Sequence, residues 1–210
     1  LTPAAYYAKV FNMAMKAMRR DTVKMIFNGD GQSTNDMFGI KTAKNVAGSN
    51  IFATIDVEAV DADLLTNLMF AYGGDEELGG NCRLYLNKKD LQALGKIRGT
   101  NEKRRLFDIV PDAANPNIGT IRDGGIIVPY SISKQLTALS ESTKDSAAIP
   151  TMVYGDPQNY ELGLFGDYTV RVDESVKAVE RMLTILGDAM VGGNLIVDKG
   201  FVVATLPANG

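Results

Sequence analysis

The sequence predicts an α+β fold, and three observations lead to that prediction. The opening stretch has the period of one long amphipathic helix. After residue 60 a helix, a short alternating strand and another helix follow one another, an order typical of α/β and α+β domains. The second half contains short apolar strands separated by turn residues. With 210 residues, 45% of them hydrophobic, the chain can form one large domain or two small ones with a buried core.

The stretch from Leu1 to Gly31 predicts a helix of about 25 residues, close to 40 Å long. Thr2 suits the N-cap, Pro3 suits the first helical position, and the turn that begins at Asn28 ends the helix. Such a helix would serve as a strut, although an ordinary core helix explains the pattern equally well. Its apolar face consists of Tyr7, Phe11, Met15, Met18, Thr22 and Met25, and the basic residues Lys9, Lys16, Arg19, Arg20 and Lys24 fall mostly elsewhere.

The polar loop from Asn28 to Asp36 alternates Asn and Asp, as calcium loops do. Its spacing differs from that of an EF-hand, and Gly39 stands where the bidentate glutamate is needed. We therefore expect a helix-ending turn. A calcium-binding module is the alternative, and calcium-dependent melting would reveal it.

Gly39 to Ser49 is a polar connection, and we place a domain boundary near Asn50. Asp61 is expected to cap a second helix that stops at Gly73-Gly74. The residues that share the core face of this helix are Leu64, Leu65, Leu68, Met69 and Tyr72.

Cys82–Leu86 alternates as a strand. Asn87 is expected to cap a third helix, with Asp90 in its first turn. The core-facing residues of that helix are Leu91, Leu94 and Ile97.

Four polar segments are predicted to be surface loops: Asp75–Gly80, Gly99–Arg105, Asp112–Gly125 and Leu139–Ala148. Gly99–Arg105 carries three adjacent cations that could touch phosphate, but a solvated face is the better interpretation. The third, rich in Asn, Pro and Gly, is of the kind that contacts partners. The fourth is expected to be mobile.

Short strands are predicted at Ile126–Ser131 and Thr151–Tyr154. A hairpin is predicted between Tyr160–Phe165 and Tyr168–Val172, across Gly166-Asp167.

Residues 174–191 fit either a helix or a strand buried on both faces, and Gly192-Gly193 is expected to break the element. A closing hairpin is predicted to join Ile196-Val197 to Phe201–Leu206 through Asp198-Lys199-Gly200.

Composition excludes several classes of function. The chain has no histidine, so Ser-His-Asp and Cys-His catalysis and imidazole zinc sites are excluded. No phosphate-binding glycine motif occurs. The net charge of -3 and pI near 5.1 give no broad basic surface, so nucleic-acid binding is not indicated. A single cysteine, Cys82, favours a reducing compartment. No membrane-spanning stretch and no signal peptide is seen, and the start at Leu1 indicates a fragment.

We therefore predict no catalytic residue, no cofactor and no metal, and a protein that is not an enzyme. The alternative of a different class is an α/β enzyme or ligand-binding domain that uses carboxylates such as Asp156 and Asp173.

Taken in order, the motifs resemble those of the major capsid proteins of tailed bacteriophages, the Hong Kong 97-like family. The resemblance covers nearly the whole chain. It rests on four segments: Phe27-Asn28-Gly29-Asp30-Gly31 with Gly39-Ile40, Leu84 to Leu91, Val153 to Tyr160, and Met182 to Leu186 followed by Asp198 to Val203.

The resemblance implies a Hong Kong 97-like fold with a long spine helix and two domains. The peripheral domain would comprise residues 1–49 and 166–210, and the axial domain residues 50–165, with the last strand alternatively joining the axial sheet. Asp112–Gly125 would form the axial tip, which makes Asp112, Asn115, Pro116 and Asn117 candidate subunit-contact residues. The family's N-terminal arm and extended loop would precede this chain. The resemblance also favours strand over helix from Met182 to Val191.

The implied function is that of a structural shell protein of a tailed phage or prophage, with a bacterial nanocompartment shell of the same fold as the alternative. Its partners would be copies of itself in pentamers and hexamers, packaged DNA by weak non-specific contact only, and scaffold or portal proteins; no membrane is implied. It would be made in the bacterial host cytoplasm and reside in the virion capsid.

Some members of the family crosslink subunits through an isopeptide bond between Lys and Asn. The resemblance places the Asn position at Arg181 and the assisting carboxylate at Asp188. Because arginine cannot form that bond, we predict no autocatalytic crosslinking, and both residues remain candidate subunit contacts.

Overall fold

The computed structural model describes residues 3–32, 36–74, 80–99, 103–173 and 184–209. Its helices are α1 (Pro3–Asn28), α2 (Leu64–Phe70) and α3 (Lys88–Leu94). Its strands are β1 (Ala53–Asp56), β2 (Arg83–Leu86), β3 (Asp108–Pro111), β4 (Ile118–Asp123), β5 (Ile126–Ile132), β6 (Ile149–Gly155), β7 (Tyr160–Asp173), β8 (Thr184–Leu195) and β9 (Phe201–Leu206).

Among the described residues, seven strands form one mixed sheet in the order β1-β9-β6-β2-β5-β4-β3. The β1–β9 and β2–β5 pairs are parallel, and the other neighbours are antiparallel. All six residues of β9 are buried, because β9 is covered on both faces of the sheet.

The two faces of this sheet carry two apolar cores. On one face, Leu64 and Leu68 of α2 and Leu94 of α3 pack against residues such as Val202 of β9. On the other face, Phe27 near the end of α1 packs beside Tyr85, with ring centroids 5.5 Å apart. The spine helix is therefore anchored to the sheet through its C-terminal end.

The remaining two strands, β7 and β8, form a long antiparallel hairpin that packs along α1. The predicted turn at Gly166-Asp167 is wrong, since β7 continues through it with two register shifts. A local turn signal is overridden because β8 pairs with β7 on both sides of Gly166-Asp167. Residues 184–191 are strand, Gly192-Gly193 does not break β8, and 174–183 lie outside the described residues.

Several other predictions need correction. The closing hairpin is wrong, because β8 and β9 belong to different sheets. The predicted loop Asp112–Gly125 is a loop only at 112–117 and at 124–125, with β4 between them. Strands β1 and β3 were not predicted at all. Each is four residues long, too short for a clear alternating pattern.

The predicted α1, β2 and α3 are confirmed. Asn87 caps α3 by accepting a hydrogen bond from the Lys89 backbone N–H. Asp61, by contrast, is not the cap of α2; its carboxylate accepts from the N–H of Asp63, the residue at the N-cap.

The segment Leu139–Ala148 was expected to be mobile, but its start is anchored. Leu139 begins a 3-10 helix (Leu139–Glu141) and is itself buried. The fully buried carboxylate of Asp90 accepts the backbone N–H groups of Leu139 and Ser140, at 3.0 and 2.8 Å. These two hydrogen bonds fix the segment to α3.

Tyr130 is fully buried, and its hydroxyl has no hydrogen-bond partner within the described chain. Burial also raises the pKa of this phenol. We expect Tyr130→Phe to leave the free energy of unfolding unchanged or to raise it by up to about 1 kcal/mol, since it removes an unpaired polar group. The matched control is Tyr160→Phe, whose hydroxyl donates to the Phe38 carbonyl at 2.7 Å and whose loss should cost about 1 kcal/mol. If urea unfolding showed an equal loss of unfolding free energy in both variants, this expectation would be contradicted.

Candidate subunit-contact surfaces

The first candidate surface is the tip loop, residues 112–117 between β3 and β4. All six residues are exposed. The Asp112 carboxylate accepts the backbone N–H groups of Ala114 and Asn115, at 2.8 and 3.1 Å. The Asn115 side chain accepts the N–H of Asn117 at 3.1 Å. Asp112 and Asn115 thus shape the loop as consecutive Asx turns, and Pro116 lies inside the second turn.

The base of the tip loop is tied to the sheet. The Asp112 N–H donates to the Ile118 carbonyl at 2.9 Å, and the Ile132 N–H donates to the Asn117 carbonyl at 2.8 Å. A partner that meets this loop therefore finds its shape already set, so little ordering entropy is lost on binding.

The second predicted contact position, Asp188, lies on the β7–β8 hairpin. Its carboxylate accepts a short hydrogen bond from the Thr169 hydroxyl and pairs with Arg171 at 3.2 Å. The Thr169 bond, followed by the Arg171 charge, lowers the pKa of Asp188. Arg181 lies outside the described residues. The tip loop and Asp188 belong to different sheets, so they form two separate surfaces.

Sequence reasoning missed a third surface, which we call the helix–hairpin surface. It consists of large apolar side chains exposed on the first half of α1 and on the hairpin: Tyr7, Phe11, Leu164, Phe165, Leu186 and Met190. Phe165 is 74% and Met190 65% exposed. Tyr7 and Phe11 belong to the predicted apolar face of the helix. A helical period shows which residues share a face but does not show what covers it.

The helix and the hairpin meet firmly at one place and leave a groove at another. The Thr22 and Tyr168 hydroxyls lie 2.8 Å apart, and Met18 contacts Gly187, where a Cβ would come within 2.8 Å of its sulfur. Toward the start of α1, a groove of about 220 Å³ opens between Tyr7 and Phe11 on the helix and Val170 and Ile185 on the hairpin. This apolar groove continues the helix–hairpin surface.

Residues 8–206 of the chain match the Phage capsid family. The chain belongs to this family. Its structure is similar to the capsid of an empty GTA particle (TM-score 0.70, 16% identity, 96% of this chain and 66% of that one). It is also similar to the capsid of a native GTA particle (0.69, 17%, 96% and 66%) and to a chain of Gordonia phage Cozz (0.60, 13%, 99% and 65%). No curated protein sequence matches the chain.

These likenesses confirm the Hong Kong 97-like fold predicted from the sequence. The chain spans about two thirds of the length of the capsid chains it matches. Membership of the phage capsid family indicates a structural protein.

The carboxylates of the enzyme alternative do not converge in this capsid-family chain. Asp156 precedes β7 and accepts the Gln158 N–H at 2.9 Å, and Asp173 is the last residue of β7. A 14-residue strand separates them by about 40 Å. The two residues therefore cannot form one site.

The carboxylates of the calcium alternative bind backbone instead. Asp30 accepts the Gln32 N–H at 2.8 Å, and Asp36 accepts those of Asp30 and Met37, each at 2.9 Å. Residues 33–35 lie outside the described part. Across the described ranges, no group of three acidic or cysteine side chains is placed to hold a metal ion, and no helix is long and apolar enough to cross a membrane.

Proposed function

We propose that this chain is the shell-forming part of a major capsid protein, which assembles into the icosahedral head of a tailed phage or prophage, or into a GTA particle. The family match across residues 8–206 carries the proposal. The helix–hairpin surface supports it, because large apolar side chains that stay exposed on a subunit are typical of protein–protein contacts. The partners would be copies of this protein in pentamers and hexamers.

We assign α1 and the β7–β8 hairpin to the peripheral domain, and the seven-stranded sheet with its tip loop to the axial domain. The division predicted at residue 166 falls inside β7, so the start of the hairpin at Tyr160 is the better boundary. Since β9 pairs with β1 and β6, it would belong to the axial sheet. In this arrangement Asp112, Asn115, Pro116 and Asn117 face the capsomer centre.

The same proposal includes contacts that other molecules would make. Packaged DNA would touch the shell weakly and without sequence preference, and scaffold or portal proteins would meet it during assembly in the host cytoplasm. Arg181 and Asp188 would contact neighbouring subunits without forming an isopeptide crosslink. The three structures compared above come from phage or GTA particles, which favours these over a nanocompartment.

The decisive experiment uses the full-length product of the gene. Expressed alone, it should form closed shells or capsomer rings that negative-stain electron microscopy and sedimentation detect. A protein that stays monomeric across concentration and salt would overturn the proposal. Denaturing electrophoresis of the shells should show monomer-sized bands, because no isopeptide bond forms.

Phe165→Ser tests the helix–hairpin surface directly. Phe165 is largely exposed in the subunit, so folding should change little, whereas an anchor buried between subunits costs more than 1 kcal/mol when truncated. We expect the yield of shells in sedimentation to fall at least about tenfold. The matched control is Phe70→Ser, at a 70% exposed phenylalanine at the end of α2. Equal yields from both variants would remove this surface from the assembly contacts.

A further inference from the structure

We propose that a basic groove beside the spine helix binds the phosphate backbone of nucleic acid, so that this face of the subunit faces the contents of the shell. The inference rests on the proposed function. The basic groove has a volume of about 330 Å³ and is lined by Lys16, Arg19, Arg20 and Val23 of α1, by Ile132 at the end of β5 and by Ser133, Lys134 and Gln135 after it. No carboxylate is among these residues.

The two walls of the groove are held in place by hydrogen bonds to backbone carbonyls. The Asn28 side chain at the end of α1 donates to the Gln135 carbonyl at 2.9 Å. The Ser133 N–H donates to the Leu86 carbonyl at 2.9 Å, which ties this wall to β2. Lys134 therefore stands at a fixed position opposite the helix, on a wall that comes from a distant part of the chain.

The charge of the chain is strongly segregated around this groove. Pro3–Asn28 carries five lysine and arginine residues against Asp21 alone, a net charge of +4, whereas the whole chain carries -3. Asp21 lies about 140° around the helix from Lys16 and is not a lining residue. Throughout the part of the chain that the structure describes, none of these cations, nor Lys134, forms an ion pair.

The charges also form a row that an extended polyanion could follow. Lys9, Lys16 and Arg20 lie within about 40° of one another around the helix, and Lys9 to Lys24 spans about 22 Å. All of them are exposed. The hairpin does not cover the row, because it packs on the opposite face, at Met18 and Thr22.

The lining indicates which polyanion fits. Single-strand binders stack bases on aromatic side chains, and no aromatic residue lines the groove. The floor of the groove is formed mainly by apolar atoms, but the groove is open to solvent and so lacks the enclosed pocket in which a peptide anchors. Exposed lysines and arginines along about 22 Å match a DNA duplex, which carries roughly 13 phosphates over that length. Binding would be salt-dependent and indifferent to sequence.

The test measures DNA binding by dissociated subunits of the full-length protein. Fluorescence anisotropy with a 30-base-pair duplex is recorded at several salt concentrations. The groove variant combines Lys16→Gln, Arg19→Gln, Arg20→Gln and Lys134→Gln. The control removes four exposed cations elsewhere that form no ion pair in the described chain: Lys88→Gln, Lys96→Gln, Lys103→Gln and Arg104→Gln.

We expect the groove variant to lose DNA affinity at least about tenfold, whereas the control should lose less than about threefold. The slope of log affinity against log salt concentration should become shallower by about 3 to 4 in the groove variant. Unchanged affinity, or an equal loss in the control, would overturn the inference. If the variant with four substitutions fails to melt cooperatively, the double variant Lys16→Gln and Lys134→Gln takes its place. We expect the double variant to lose about threefold in DNA affinity, and an unchanged affinity would again overturn the inference.

Shell formation by the same variants separates this inference from the proposed function. A groove variant that forms shells but binds DNA weakly supports the inference. A groove variant that binds DNA normally but no longer forms shells shows that an acidic segment of a second copy occupies the groove. That result overturns the inference and leaves the shell function intact. If the unaltered protein forms no shells, it is the proposed function that is overturned.

Discussion

Replacing Gly29 with alanine is expected to lower the free energy of unfolding by about 3 kcal/mol or more. A Cβ at Gly29 would overlap the carbonyl oxygen of Met37 and lie 2.7 Å from that of Met25. Both are backbone atoms, which cannot rotate out of the way as a flexible side chain can. The end of α1 and the returning chain would have to move apart. Urea unfolding of the variant and of the unaltered chain measures the difference.

The close approach at Gly29 allows two backbone hydrogen bonds between the end of α1 and the returning chain. The Gly39 N–H donates to the Gly29 carbonyl at 3.0 Å, and the Ile40 N–H donates to the Ile26 carbonyl at 2.8 Å. These bonds satisfy carbonyls at the end of α1 that have no partner within the helix. Separating the two backbones would therefore add lost hydrogen bonds to the steric cost.

Gly125→Ala is the matched control for Gly29→Ala. Gly125 lies in the turn between β4 and β5, and a Cβ there would meet no atom within 4 Å. We expect a change of less than about 0.5 kcal/mol at this position. A similarly small change at Gly29 would show that the helix end yields easily, and the steric account of the Asn-Gly-Asp-Gly turn would then be wrong.

The elements that the sequence predicted well are those with local causes. The period of α1 extends over its whole length, and the Asn87 cap needs only the N–H of Lys89, two residues away. β2 alternates in burial as it alternates in polarity. Such signals involve residues that are close in the chain, so no knowledge of the tertiary structure is required.

The errors fall where distant residues decide the structure. Gly166-Asp167 has the composition of a turn, yet it lies within β7 because β8 pairs along the strand. β1 becomes a strand by pairing with β9, almost 150 residues further along the chain. A single sequence does not display such partners, so local propensity misplaces these elements.

The candidate surfaces also divide into those with a local sequence signal and those that depend on distant residues. The Asn, Pro and Gly content predicts the tip loop, although the six residues of β4 take up nearly half of the predicted segment. The basic groove was hidden by the net charge of -3, and its lining depends on Lys134 meeting a helix more than 100 residues earlier. The helix–hairpin surface was hidden because an amphipathic pattern is the same whether the chain itself or a second copy covers it.

The second large effect is a pH dependence of stability that arises at Lys41. Its ammonium donates hydrogen bonds to the Asn28 side chain at 3.1 Å and to the Pro150 carbonyl at 3.2 Å. In the described chain it pairs with no carboxylate. Desolvation lowers the pKa of Lys41 from about 10.5 to about 8. The charged form is therefore less favourable in the folded state than in the unfolded state.

The direction of the pH effect follows from the protons bound by each state. Below pH 8 Lys41 is protonated in both states, and the cost of burying the charge is fully present. Between about pH 8 and 10.5 the unfolded state binds more protons, so the free energy of unfolding rises with pH. Tyr72 and Tyr160 act oppositely above pH 10, because burial raises the pKa of each to about 12. The window for Lys41 is therefore pH 7.5 to 9.5.

Within that window we expect the contribution of Lys41 to raise the free energy of unfolding by about 2 kcal/mol, as 1.4 kcal/mol per pKa unit implies. Lys41→Met is the control, since methionine has a similar length and does not titrate. Urea unfolding at several pH values should show a rise in the unaltered chain relative to the variant, and the groups that both share cancel in this difference. If the free energy of unfolding varied with pH in the same way in both proteins, the Lys41 ammonium would be as well hydrated in the folded chain as in the unfolded one. In that case its hydrogen bonds to Asn28 at the end of α1 and to Pro150 of β6 would contribute only as ordinary surface bonds.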